Sequence, residues 1–287
     1  MGRKHRYGID YDTKGLKRRL VKKITYIFSD WKRIEGELRG KFLYIFLDYD
    51  GTLAPIAPTP VMAVMPKETK DLLRRLSEMP DCKIAIVSGR ALKDITKRIG
   101  LGNIVYVGNH GFEIKGPSIN FRGALPRLYR RALGEIRRKL KKNLSLFGGV
   151  VIEDKGLSLG AHYRMADARR ISAIEAEFYR TIFPYEFKNN VKSRAGKMAM
   201  EIIPPVPWNK GKAVLWLLDK QLPVMRNKKM KILPIYIGDD ATDEDAFESL
   251  KDKGITIFTG KPGKTKARYY LKNSEEVAGF LEEILKI

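Results

Sequence analysis

A single cysteine, Cys82, stands in 287 residues. That excludes a disulfide framework and any metal site built from several thiolates, and it fits a reducing compartment. No stretch approaches the ~18 apolar residues of a membrane helix; the longest runs, such as FLYIFL at 42–47, have strand length. The N-terminus, MGRKHRYGIDYDTKG, has no apolar segment behind it and does not read as a secretory signal. A soluble, cytoplasmic chain is the expectation, with no membrane partner. Negative charge is short as well: 33 Asp+Glu stand against 56 Lys+Arg, a formal net charge of +23. Apolar residues are not short, at 44%, so wholesale disorder is excluded.

The excess positive charge is uneven. Residues 1–40 carry 12 basic and 5 acidic side chains, and residues 113–205 carry 19 and 9. In LPRLYRRALGEIRRKLKKNL (125–144), Leu125, Leu128, Ala132, Leu133, Ile136 and Leu140 recur at helical spacing with Arg and Lys between them. That pattern reads as a solvated helix face. A nucleic-acid surface is the competing reading of the charge, but no nucleic-acid motif accompanies it and no such partner is expected.

From residue 41 the chain alternates strands and helices. FLYIFLDYD (42–50) reads as a strand buried on both faces, PKETKDLLRRLSEM (66–79) as a helix opened by Pro66, and CKIAIVSGR (82–90) as a second buried strand. ALKDITKRIG (91–100) and NIVYVGNHG (103–111) complete a βαβαβ order. Paired strands with glycine turns and two helices follow, over 113–205, before the first pattern resumes. The expectation is an α/β fold: a doubly wound, Rossmann-like parallel-sheet core from 41–112 and 206–287, an α+β insertion at 113–205, and a basic leader at 1–40 that is helical from Lys14 to Arg39.

Open parallel sheets bind ligands beyond the carboxyl ends of their strands. Three strands end there in polar residues: Asp48 and Asp50, Ser88, and Asp239 with Asp240. Converging carboxylates repel unless a cation neutralises them, and hard oxygen ligands suit Mg²⁺. Strand alternation would point Asp48 and Asp50 apart, so the chain must turn there, which Gly51 and Thr52 permit.

Four motifs in order, DYDGT (48–52), Ser88 of VSGR, Lys210 of WNKGKA and GDDATDED (238–245), resemble the haloacid-dehalogenase-like phosphatase superfamily. The resemblance implies phosphoryl transfer through an aspartyl-phosphate. Asp48 would be the nucleophile and Asp50 the acid and base. Ser88 and Lys210 would hold phosphate oxygens, with Thr52, Gly89 and Arg90 beside them. Mg²⁺ would sit on Asp48, Asp239 and the backbone carbonyl of Asp50, with Asp240 a further candidate and Asp243 supporting from behind.

The insertion lies where one class of that superfamily, type IIB, carries a cap. GNHGFEI (108–114), EDKGLSLGAHYR (153–164) and MEIIP (200–204), taken with the core motifs, look like the trehalose-6-phosphate phosphatases over roughly residues 41–287. That likeness implies sugar contacts through Glu153, Lys155, Arg164 and Glu201, with Asn109 and His110 as further contacts near the hinge. Carboxylates accept from vicinal hydroxyls, while Lys and Arg donate to them. The implied substrate is a small sugar phosphate, trehalose 6-phosphate. A phosphatase of sucrose-phosphate or mannosyl- or glucosyl-phosphoglycerate type fits the core motifs as well. A basic nucleic-acid binder on a phosphatase fold is the reading from another class. His162 is expected to orient the cap, Trp208 to pack its junction, and Cys82 to pack a strand.

Overall fold

The computed structural model describes residues 24–228, 230–261 and 263–287. Its first strands are short: β1 (Thr25–Tyr26), β2 (Phe42–Leu47), β3 (Cys82–Val87), β4 (Val105–Gly108), β5 (Glu113–Gly116) and β6 (Ile119–Arg122). Helices α1 (Trp31–Leu38), α2 (Lys67–Glu78) and α3 (Leu92–Ile99) lie between them. All six residues of β2 are buried, as an apolar strand flanked on both faces by helices requires.

The middle of the chain forms α4 (Arg127–Leu144), β7 (Val151–Asp154), β8 (Leu159–His162), α5 (Ile171–Phe187), β9 (Lys192–Gly196) and β10 (Ala199–Ile203). The chain then returns through α6 (Lys210–Lys228), β11 (Ile232–Gly238), α7 (Glu244–Leu250), β12 (Ile255–Thr259), β13 (Tyr269–Leu271) and α8 (Ser274–Ile284).

Nine strands make one sheet in the order β1-β13-β12-β11-β2-β3-β4-β5-β6. Every pairing from β1 to β4 is parallel; β4–β5 and β5–β6 are antiparallel. One face packs against α1, α2 and α8 through Ile34, Leu73, Leu76, Phe280 and Leu281. The other packs against α6 and α7 through Val214, Leu217, Phe247 and Leu250. The doubly wound α/β expectation is met.

Two boundaries differ from expectation. Residues 113–122 extend the core sheet instead of opening the insertion: their antiparallel hairpin continues β4 at its edge. The helix expected over 14–39 is confined to α1 in the described region. Residues 25–30 form β1 and a short 3₁₀ turn, and residues 14–23 lie outside the described residues. From β1 onward this segment is no loose leader. Ile27, Ile34 and Leu38 are buried in the core, and Trp31 meets Phe280 edge-on.

The second sheet, β7-β8-β10-β9, is antiparallel throughout. Ala161 and Met200 face α4 and α5, where Tyr129, Ile136, Ile174 and Phe178 close a separate apolar cluster. The period of two in a strand turns the alternate residues the other way. Glu153, Gly160, Glu201 and Arg194 are register partners across the four strands and share the face away from that cluster. No helix among the described residues is long and apolar enough to cross a membrane.

Candidate active site

The strand β2 delivers Asp48 to its carboxyl end, and the chain then turns sharply. The Tyr49 carbonyl accepts from Leu53 N at 3.0 Å and Ala54 N at 2.9 Å, while Gly51 N donates to Ala54 O at 2.7 Å. Gly51 has φ +84°, and a Cβ there would lie 2.1 Å from Asp239 Oδ2. The turn therefore needs glycine twice over, for its left-handed backbone and for the carboxylate that crosses it.

Lys210, at the start of α6, is buried between acids. Its Nζ donates to Asp48 Oδ1 at 2.7 Å and to Asp243 Oδ1 at 2.8 Å. Asp243 also accepts from Tyr236 Oη at 2.6 Å and from the Asp239 and Asp240 backbone N–H groups, each at 3.0 Å. Those four bonds use the four acceptor positions of a carboxylate. Asp243 thus fixes Lys210 and the loop after β11, and has no lone pair to spare.

Oxygens of Asp48, Asp239 and Asp243 lie within 4.8 Å of one another, all buried. Such crowding is costly for anions. Burial, with Asp243 and Asp239 alongside, pushes the Asp48 carboxyl well above its usual range despite Lys210. Burial raises Asp239 to about 7, with Lys197 opposing and Asp243 adding to the rise. Asp239 Oδ1 is buried with no hydrogen-bond partner. A hard divalent cation would relieve both the repulsion and the orphaned oxygen, so the donor set fits one.

Asp50 is elsewhere. Arg90, itself buried, grips it in a fork, Nε to Oδ2 at 2.7 Å and an Nη to Oδ1 at 2.6 Å, and also reaches Asp94 and the Pro60 carbonyl. The Asp50 carboxylate therefore stands on the cavity wall outside the acidic cluster, and Arg90 is its holder instead of a free phosphate ligand. Asp240 also lies outside the cluster, with Oδ1 accepting from Ala241 N at 2.6 Å. Ser88 is buried, its Oγ accepting from Arg90 N at 3.1 Å. Thr52 Oγ1 is buried without a partner in the turn after Asp48.

The second sheet forms the opposite wall of the same cavity. Asp48, Asp50, Gly89, Arg90, His110, Lys210, Asp239 and Asp240 line it on one side, and Glu153, Lys155, Arg164 and Glu201 on the other. Glu201 lies 2.5 Å from Lys155 Nζ and 2.5 Å from His110 Nε2, the latter without the alignment of a hydrogen bond. Burial alone would raise the Glu201 carboxyl, but these neighbours hold it well below the usual range. Burial lowers His110, so Lys155 is the cation that offsets Glu201. Glu153 pairs with His162 Nε2 at 2.8 Å. Gly160 separates the two glutamates, and a Cβ there would meet His162 Nε2 at 2.8 Å. The result is a polar wall of acceptors and donors facing an acidic floor.

Asn109 is not on that wall. Its amide donates to Glu113 at 2.8 Å and it accepts from Ser158 at 3.2 Å, so it ties the end of β4 to the loop after β7. Glu113 is used by that same joint. Trp208 packs on Phe121 and donates to Gly111 O at 2.8 Å, contacts with the core sheet where the junction of the cap was expected. Sequence reasoning missed Lys197. It sits between β9 and β10, and its Nζ donates to Asp239 O at 2.8 Å and Asp239 Oδ2 at 2.5 Å. The available signal was a lysine at the turn of a Gly-Lys-Met hairpin, but nothing local says which surface that turn meets.

A sequence model described as trehalose-phosphatase matches residues 46–275. The probable trehalose-phosphate phosphatase 4 of Oryza sativa subsp. japonica is 33% identical over 272 residues, 93% of this chain and 72% of that protein. The trehalose-phosphate phosphatase of Mycobacterium tuberculosis is 34% identical over 252 residues, 84% of this chain and 61% of that one. Among solved structures, the C-terminal domain of the C. albicans trehalose-6-phosphate phosphatase superposes with a TM-score of 0.77 at 23% identity, covering 92% of this chain and 99% of that one. A trehalose-6-phosphate phosphatase related protein superposes with a TM-score of 0.66 at 28% identity, covering 85% and 97%.

Proposed function

The chain belongs to the trehalose-phosphatase family, and from that premise we propose that it hydrolyses trehalose 6-phosphate to trehalose and phosphate through an aspartyl-phosphate on Asp48, with Mg²⁺ as its cation. The observation that carries the reading is one cavity lined by the buried carboxylate of Asp48 on one side and by Glu153, Lys155, Arg164 and Glu201 on the other.

Asp48 Oδ attacks phosphorus in line with the bond to the sugar oxygen. That P–O bond breaks, and the Asp50 carboxyl gives its proton to the leaving alkoxide. Asp50 then takes a proton from water, whose oxygen attacks the phosphorus and frees Asp48 and inorganic phosphate. Lys210 holds Asp48 by one oxygen, leaving the other for attack. Arg90 fixes where Asp50 waits; Thr52 in the turn after Asp48 and Ser88 at the end of the neighbouring strand would serve as hydroxyl donors. Asp48 and Asp239 would hold Mg²⁺, which when bound offsets the charge between an anionic nucleophile and a phosphate dianion.

The cap, residues 123–205 on this reading, supplies specificity. Glu153, Lys155, Glu201 and Arg164 present acceptors and donors to the hydroxyls of a disaccharide. A substrate that leaves one unpaired forfeits about 1–3 kcal/mol.

Phosphate release from a panel of sugar phosphates, with Mg²⁺ and with chelator, tests the proposal. Trehalose 6-phosphate should be turned over at a kcat/KM well above glucose 6-phosphate, sucrose phosphate and mannosyl-phosphoglycerate, and chelator should abolish it. Comparable turnover across the panel would sink the trehalose assignment.

A further inference from the structure

Among the described residues, the acidic cluster has one wholly resident counter-charge, Lys210, which Asp48 and Asp243 share. Asp239 takes its partner from the other side of the cavity. Lys197 is carried at the tip of the β9–β10 hairpin, where Met198 turns with φ +58°. Its Nζ binds both the carboxylate and the backbone carbonyl of Asp239, at 2.5 and 2.8 Å. Two further contacts aim the tip. Arg164 donates to the Lys197 carbonyl at 2.8 Å, and Arg194, two residues before Gly196, lies 3.6 Å from Asp245. A Cβ on Gly196 would come within 3.8 Å of Asp240 Oδ2. The hairpin thus meets the loop after β11 through Lys197 on Asp239, and the first turn of α7 through Arg194 near Asp245.

The ammonium holds Asp239 Oδ2 and leaves Oδ1 open to a hard divalent cation, so the two would meet across one carboxylate. The two charges cannot share Asp239 at close range without strong repulsion. We propose that Lys197 is a positioning residue of the reaction centre: its ammonium stands in for the divalent cation on Asp239 when none is bound, and gives way when one binds. Cation loading and release of the hairpin are then a single event, and the hairpin of the second sheet senses the state of the floor. Competition of this kind is reciprocal: the ammonium weakens the cation as much as the cation weakens the ammonium.

This inference rests on the cation site proposed above, and the experiment separates the two. Mn²⁺ binding is measured by calorimetry, without substrate, on the whole chain and its Lys197→Met, Lys197→Arg and Asp239→Asn variants. Amide hydrogen exchange of residues 192–203 is followed with and without Mn²⁺. Lys197 is 45% exposed, so its replacement spares the core. Lys197→Met should bind Mn²⁺ at least fivefold more tightly than the natural chain, and Lys197→Arg should restore the weaker binding. Mn²⁺ should speed exchange of the hairpin in the natural chain, whereas in Lys197→Met exchange should be fast with or without the metal. Unchanged affinity in Lys197→Met, or a hairpin whose exchange ignores Mn²⁺ in the natural chain, overturns the role of Lys197 while leaving the cation site standing. Absence of any binding that Asp239→Asn removes defeats the cation site, and the role of Lys197 falls with it.

Discussion

Asp48 combines two properties that oppose each other: it is buried among acids, and the proposed mechanism needs it as an anion. Lys210 at 2.7 Å is what keeps the charged form accessible before any cation arrives. Asp48→Asn keeps the shape and removes the proposed nucleophile, so turnover of trehalose 6-phosphate should fall by at least about 10³, as for loss of other covalent nucleophiles. Thermal unfolding of the cation-free protein should not suffer, because a strained buried charge has gone; a stopped assay beside a melting curve checks both. Asp239 offers a pH test with a definite sign. Its carboxyl is raised to about 7 from an ordinary 3.8. Between those values the folded state binds more protons than the unfolded one, so this group's stabilisation is full below pH 4 and is lost as pH rises through 7. Denaturant unfolding of the cation-free chain should therefore show a steeper fall in stability from pH 4.5 to 7.5 than Asp239→Asn does, by at most about 1.4 kcal/mol per pH unit. Equal slopes would mean that Asp239 is not held protonated.

At the scale of elements, the rung Glu153–Gly160–Glu201–Arg194 does what strand register does best, aligning side chains from distant parts of the chain on one face. Glu153→Gln keeps the volume but alters what the rung can accept from sugar hydroxyls. It should lower kcat/KM for trehalose 6-phosphate about 10- to 100-fold, the worth of one charged hydrogen bond, while leaving p-nitrophenyl phosphate within about threefold. Parallel losses on both substrates, read in one steady-state assay, would show that the cap does not read the sugar. The elements that carry this chemistry were legible because a parallel strand covered on both faces reads as an unbroken apolar run ending in acids, as in FLYIFLDYD. The edge was less so. The hairpin 113–122 alternates like any hairpin, and only its pairing with β4 reveals that it widens the core sheet. β13, three residues long, falls below what periodicity can detect. Asn109 illustrates a third limit: it lies one residue from His110, yet the turn sends it into a joint while His110 reaches the cavity wall. Lys197 depends on how two sheets face each other, which no local pattern encodes.

For the whole molecule, the net charge of +23 and the acidic site pull in different directions until they are placed. Residues 123–205, the proposed cap, carry 17 basic and 8 acidic side chains, while the carboxylates cluster at the ends of the core strands. An incoming phosphate dianion meets the positive surface before the acids, and a cation in the cleft would complete a funnel of one sign. The consequence separates encounter from chemistry. Salt shortens the Debye length from about 30 Å at 0.01 M to about 8 Å at 0.15 M, so it screens attraction at a distance but barely touches contacts inside a closed cavity. The rate constant for capture, kcat/KM, should fall several-fold as sodium chloride rises across that range at fixed Mg²⁺, while kcat holds. The dianionic substrate should lose more than a monoanionic phosphodiester-like competitor loses in affinity, because the screened energy scales with the product of charges. If kcat/KM stays flat over the same range, the charge of the cap takes no part in gathering substrate; if kcat falls with it, salt is acting on the site itself and not on the approach.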